Sequence, residues 1–190
     1  MGYPLLTYYG RLPFRKTAEC SRFVEQCHQV AHRASSMATS VKQEIDNFHR
    51  TCSIILYLCP EVLRDVLSTY VPPTACPKVI NVKGTTYTPL QQKIVNDIST
   101  INSYEKCNIS LLYILYRNIV KGIKFKPTGN WGKPPLATSV DVADDVERIR
   151  NHRNHLGHTT NDRISTPDYN SFITDMTNIM NRMDNHILTK

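Results

Sequence analysis

Arg153, Asn154 and His158 close the basic stretch Asp144–His158, which holds three arginines, two asparagines and three histidines. Arginine binds a phosphate bidentately and offsets charge that grows in a transition state. Histidine titrates near neutral pH, so it can take a proton from a ribose 2′-hydroxyl or give one to a leaving 5′-oxygen. RNA brings its own nucleophile, so this chemistry needs no metal and no cofactor. An asparagine beside the arginine can bond a phosphate or orient the histidine.

Four arginine–histidine pairs share the loose spacing: Arg22/His28, Arg148/His155, Arg150/His155 and Arg153/His158. A polar residue directly after the arginine removes Arg22, followed by Phe23, and Arg148, followed by Ile149. Arg150/His155 lies inside one helix, where five positions turn the side chains about 140° apart. Arg153/His158 straddles Gly157, a helix-stop residue at which the chain can turn back. Arg153, Asn154 and His158 are therefore the candidate catalytic group. Arg117, Asn118, Arg150 and His155 are candidate RNA-binding or supporting residues. Arg117 and Asn118 also read as a helix-end pair serving the backbone or the Trp131 loop. His152 and His155 read as surface groups near a helix C-terminus. The His-x-x-His-x-x-His run spreads its first and third imidazoles about 120° apart, a poor zinc pattern. No metal site is expected.

The elements that must carry these residues are helical. Residues 141–157 form one helix, with Asp144 and Asp145 as favourable first-turn carboxylates. Its apolar stripe is Val142, Val146, Ile149 and Leu156, and Arg153 stands where the stripe expects an apolar residue. An arginine on a core-facing stripe needs a partner or a ligand. Asn108 or Ser110 caps a helix that is apolar nearly all round and should be central. Thr88 and Pro89 open a short helix through Ile98. Ser165 or Thr166, with Pro167 in the first turn, opens the last one, with Phe172, Met176, Ile179, Met183 and Ile187 on one face.

Upstream, Thr17 can cap a helix carrying Phe23, Val24, Cys27, Val30, Ala31, Ala34 and Ala38. After a break near Ser35–Ser40, helix continues through Val41, Ile45, Phe48, Cys52, Ile55 and Tyr57. Pro60 interrupts it and starts a new piece, Glu61–Tyr70, ended by Val71-Pro72-Pro73. Residues 72–89 and 124–139 are Pro/Gly-rich loops; the first leaves room for one short strand, and Trp131 pins the second. The expected class is all-α, a bundle of about five to seven helices. Residues 1–16 read as a flexible arm and 17–190 as a single domain.

The 190 residues carry 23 Lys and Arg against 16 Asp and Glu, a net charge of +7 that suits an anionic partner. The pairs Cys20/Cys27 and Cys52/Cys59 are seven apart, about 10 Å along a helix, too far for a bridge within either pair. Reduced, half-buried cysteines and no visible signal peptide point to a cytoplasmic protein. The longest apolar run, Ile54–Leu58, is too short to span a bilayer.

Several blocks stand in an order that resembles the HEPN domain (higher eukaryotes and prokaryotes nucleotide-binding) of the DAZ-interacting zinc-finger ubiquitin-ligase type. They are Val62-Leu63-Arg64-Asp65 running to Val71-Pro72-Pro73, Asn108-Ile109-Ser110-Leu111-Leu112 running to Leu115-Tyr116-Arg117-Asn118-Ile119, Pro127-Thr128-Gly129-Asn130-Trp131, and Asp144–Arg150 leading to Arg153-Asn154 and Gly157-His158. Tyr169-Asn170-Ser171-Phe172 also fits, and the resemblance spans roughly 40–188. It implies a bundle that homodimerises, with Arg153 and His158 of two copies forming one metal-independent endoribonuclease site. Such a site acts on RNA, single-stranded by preference, and leaves 2′,3′-cyclic phosphates. It also implies a setting in innate immunity or RNA defence. The alternative it implies is a non-catalytic dimerisation module of a larger ubiquitin-ligase or NACHT-type protein.

Overall fold

The computed structural model describes residues 40–79, 87–119, 125–159 and 161–189. The arm over 1–16, the helix expected over Thr17–Ala38, Cys20, Cys27, Ile80 and Val82 lie outside these residues.

The first described element is a long helical spine. Helix α1 (Ser40–Ser53) passes through a π-helical turn, Ile54–Leu58, into α2 (Cys59–Tyr70). Pro60 does not start a new piece, contrary to the expectation from sequence. Leu58 and Cys59 keep right-handed helical dihedrals, and the Cys59 N–H donates to the Ile54 carbonyl five residues back. A wider turn ahead of a proline leaves room for its ring where an α-turn would crowd the carbonyl of residue 56. The spine ends at Tyr70, with Val71 extended before Pro72.

The described first part of the segment expected to be a loop forms a 3-10 turn, Pro73–Ala75, and a short helix α3, Cys76–Val79, while the possible strand at Ile80 and Val82 lies outside the described residues. Cys76 is buried there. Helix α4 (Pro89–Ile101) opens on a capping box: Thr88 accepts from the Gln91 N–H and Gln91 accepts from the Thr88 N–H. Asn108 caps α5 (Ile109–Arg117), and Ser165 caps α7 (Thr166–Leu188) by accepting from the Asp168 N–H. Between them lies α6 (Val142–Gly157).

Helix α5 is central, as its all-round apolarity requires. Leu111, Leu112, Leu115 and Tyr116 are essentially without exposure, and the Tyr116 hydroxyl donates to the Leu63 carbonyl of α2 at 2.6 Å. Each such side chain contributes about 2 kcal/mol by burial. Helix α7 lies along both α1 and α2 and turns Phe172, Met176, Ile179 and Met183 into the same core. Helix α6 packs on α5, α7 and the π-turn. The Ile164 N–H bonds the Glu44 carbonyl and Asn47 Nδ2 bonds the Ile164 carbonyl, so the α6–α7 turn is fastened to α1. The fold is an all-α bundle with no β-strand among the described residues.

Cys59, Cys76 and Cys107 are buried and Cys52 is half-buried, all four free. Burial pushes the Cys107 thiol up to about 12, as befits a small hydrophobe. Among the described residues no helix is long and apolar enough to cross a membrane.

Candidate functional site

Helix α6 presents two ends of opposite character. Its first turns are buried, charged and tied to neighbours. Asp144, Asp145 and Glu147 are fully buried, so the two aspartates are far more than a favourable helix start. Burying carboxylates is costly unless each is paired or hydrogen-bonded. Asp144 accepts from the Thr128 N–H and the Thr128 hydroxyl, both at 2.8 Å. Asp145 receives two bonds from Arg182 of α7, at 2.8 and 2.7 Å, and one from Arg148 at 2.8 Å. Burial raises the Asp145 carboxyl, and the Arg182 and Arg148 guanidinium groups pull it back. Arg148 also donates to the carbonyls of Leu136 and Ser139, closing the far end of the loop.

Glu147 organises the middle of that loop. It accepts from the Tyr113 hydroxyl at 2.6 Å and from the Gly132 N–H at 2.5 Å, and it pairs with Arg150 at 3.4 Å. Burial and the Glu147 hydrogen bond push the Tyr113 phenol up to about 12. Trp131 meets the edge of Tyr113 and stacks on Phe125, so it pins the loop as its position suggested. Gly132 has φ +86 and Asn130 φ +74, left-handed backbone that lets the chain turn its N–H onto Glu147.

The supporting residues meet at the same ring. Arg150 lies 4.8 Å and Arg117 5.6 Å from the Tyr113 ring centroid. Asn118 is the C-cap residue of α5 and donates from Nδ2 to the Ile114 carbonyl at 2.7 Å, a helix-end role. His155 is exposed. His152 is more enclosed than expected: it meets the Phe172 ring edge-on and stands 3.8 Å from Asp175. Burial lowers its pKa, opposed by Asp175 and helped by His155.

The last turn of α6 carries the candidate catalytic group and faces solvent. Arg153 is exposed and does not continue the core stripe, which Val146 and Ile149 form without it. Its Nη1 donates to Asn154 Oδ1 at 3.2 Å. The helix stops at Gly157, as expected, though not through a left-handed glycine. Gly157 is the last helical residue, its φ is not positive, and His158 caps the end with φ −104 and ψ 0. The His158 N–H bonds the carbonyls of Asn154 and His155 at 3.1 Å, and the Thr159 hydroxyl donates to the His155 carbonyl at 3.0 Å. The end is thus closed by a polar side chain and not by a left-handed glycine.

This overturns the reason for preferring Arg153/His158 over Arg150/His155. With helix continuing to residue 157, Arg153 and His158 also point about 140° apart. Arg153 and Asn154 are hydrogen-bonded to each other, and His158 is joined to Asn154 through its backbone N–H.

A family model described as DZIP3/hRUL138-like HEPN matches residues 73–189, more than half of the chain. The chain belongs to this HEPN family. No curated protein and no solved structure matches it. The HEPN match takes in α3 to α7 and both ends of α6. It begins at Pro73, short of the resemblance drawn from residue 40, although α2 and the π-turn share the HEPN core through Ile55, Leu63 and Leu67.

The buried carboxylates of α6, which hold the helix in the bundle, are only partly legible in the sequence. A local signal existed: Asp145/Arg148 and Glu147/Arg150 are i,i+3 pairs of opposite charge. Their remaining partners, Arg182, Thr128 and Gly132, are remote in sequence and gave none.

Proposed function

We propose that this HEPN domain binds single-stranded RNA through the exposed end of α6 and cleaves it at a composite site made by two copies. One observation carries the reading: Arg153 and His158 are exposed at the end of a helix whose other end is locked into the bundle by buried carboxylates. A rigid helix offers a precise mount for a site, and exposed groups on it are free to meet a second chain. The net charge of +7 favours a polyanion.

At such a site the His158 imidazole of one copy accepts the 2′-hydroxyl proton as the 2′-oxygen attacks phosphorus. The 5′-oxygen leaves and takes a proton from the second imidazole, and a 2′,3′-cyclic phosphate remains. Arg153 offsets the charge gathering on the phosphoryl oxygens, and Asn154 holds the guanidinium through its 3.2 Å bond. Arg150 and Arg117 extend the basic surface from the same helix toward the end of α5.

The helical spacing of Arg153 and His158, five positions or about 140°, favours a second reading, a non-catalytic dimerisation module of a larger protein. Purified protein incubated with single-stranded RNA in EDTA separates the two. Cyclic-phosphate products from the wild type, lost in Arg153→Ala and His158→Ala, support cleavage. Intact RNA at micromolar dimer supports the module.

A further inference from the structure

Two guanidinium groups from different helices meet one aromatic ring. Arg117 reaches from the last turn of α5 to within 5.6 Å of the Tyr113 ring centroid, and Arg150 comes from the middle of α6 to within 4.8 Å. Each gains a cation–π contact, but two cations sharing one ring also repel each other. Burial and Glu147 push the Tyr113 phenol up, and both arginines act against them, so both charges are felt at this ring. Glu147 does not neutralise the pair. It is fully buried and turned inward, accepting from the Tyr113 hydroxyl at 2.6 Å and from the Gly132 N–H, and it holds Arg150 only through Nη1 at 3.4 Å. Arg117 is exposed, and Arg150 keeps 30% of its side chain in solvent. Among the described residues the charges at this ring are thus two positive against one buried negative.

We propose that Arg117 and Arg150 together hold a backbone phosphate of single-stranded RNA, in a site complete within one chain. Guanidinium forks suit phosphate oxygens, and an anion between the two arginines relieves their repulsion. The site stands beside the candidate catalytic end. Arg153 follows Arg150 by three positions, about 4.5 Å along α6 and 60° round it. A strand anchored by Arg117 and Arg150 therefore runs on toward Arg153. The choice of ligand rests on the RNA reading above, while the site itself needs neither cleavage nor a second copy.

An uncleavable 2′-deoxy single strand tests this on the full chain, with affinity read by anisotropy against salt. Arg117→Ala should weaken binding about fivefold, equally for strands of different base sequence, and flatten the slope of log affinity against log salt by about 0.7, one phosphate contact. Arg117→Lys should restore the slope, because the charge returns. Unchanged affinity and slope in Arg117→Ala overturn the proposal. The RNA reading survives that failure if Arg153→Ala weakens binding in the same assay, and falls with it if Arg153→Ala has no effect. Trp131 lies 5.4 Å from the Tyr113 ring and gives a second readout. Its emission should change on adding the strand to wild type and to Arg153→Ala, and stay constant in Arg117→Ala; an equal change in Arg117→Ala overturns the proposal. Inorganic phosphate alone should act only far above the strand's concentration. Saturation at an equal concentration would assign the site to a free anion and overturn the strand.

Discussion

Arg182 grips Asp145 with two parallel hydrogen bonds of 2.8 and 2.7 Å, joining the last helix to the buried first turns of α6. The carboxylate has no exposure, whereas the guanidinium keeps 30% of its side chain in solvent. The cost of breaking the pair is therefore asymmetric. Arg182→Ala leaves a buried carboxylate held by Arg148, and we expect a loss of about 2 kcal/mol, below the usual cost of orphaning a buried ion because Arg148 remains. Urea unfolding measures it. A loss under about 0.5 kcal/mol would mean that Arg148 and water suffice.

Tyr113 and Glu147 hold the Trp131 loop, and Trp131 is the single tryptophan of the chain. Tyr113→Phe removes one of the donors to a buried carboxylate and should cost about 1–3 kcal/mol. Trp131 emission should shift to the red as its packing on Tyr113 and Phe125 loosens. An unchanged spectrum with unchanged stability would show that Gly132 and Arg150 hold Glu147 unaided.

Gly157 lies in a helix with φ that is not positive, and a Cβ added there meets nothing within 4 Å. Gly157→Ala should stabilise the protein by about 0.4–1 kcal/mol through the unfolded state. Loss of stability would contradict a helix running through residue 157. Retained stability with lost RNA binding would mark the glycine as a point of close approach.

His152 is held neutral by burial, its pKa lowered in the folded protein. The unfolded chain then binds more protons as pH falls, so stability is complete above the unfolded value of about 6.5 and declines below it. The neighbouring Asp175 opposes this trend and His155 reinforces it. His152→Gln should flatten the pH dependence between about 7 and the lowered pKa. An equal slope in the variant would assign the titration elsewhere.

Local signals made much of this fold legible. Thr88-Pro89 with Gln91, Asn108, and Ser165 with Pro167 start helices where caps should, because each cap bonds an N–H within three residues. What depends on remote contacts was not legible. A proline normally breaks a helix, and nothing near Pro60 announces the π-turn that accommodates it. Gly157 marks the helix stop, yet the end is closed by the Thr159 hydroxyl and the His158 N–H and not by a left-handed turn at the glycine. Arg153 fits the core stripe by arithmetic, but Val146, Ile149 and the half-buried Leu156 reach the core without it, and the residue faces solvent. Asp145 looks like a first-turn acid, while its chief partner is 37 positions away.

In the proposed function, Arg153 and His158 act together only across two copies. The cleavage rate per chain, measured on single-stranded RNA in EDTA against protein concentration, tests it most directly. The rate per chain should rise with concentration and level off as the dimer saturates, with Arg153→Ala and His158→Ala each slower by at least about a hundredfold. A rate per chain independent of concentration while the protein passes from monomer to dimer, or no cleavage once the dimer is formed, would contradict it.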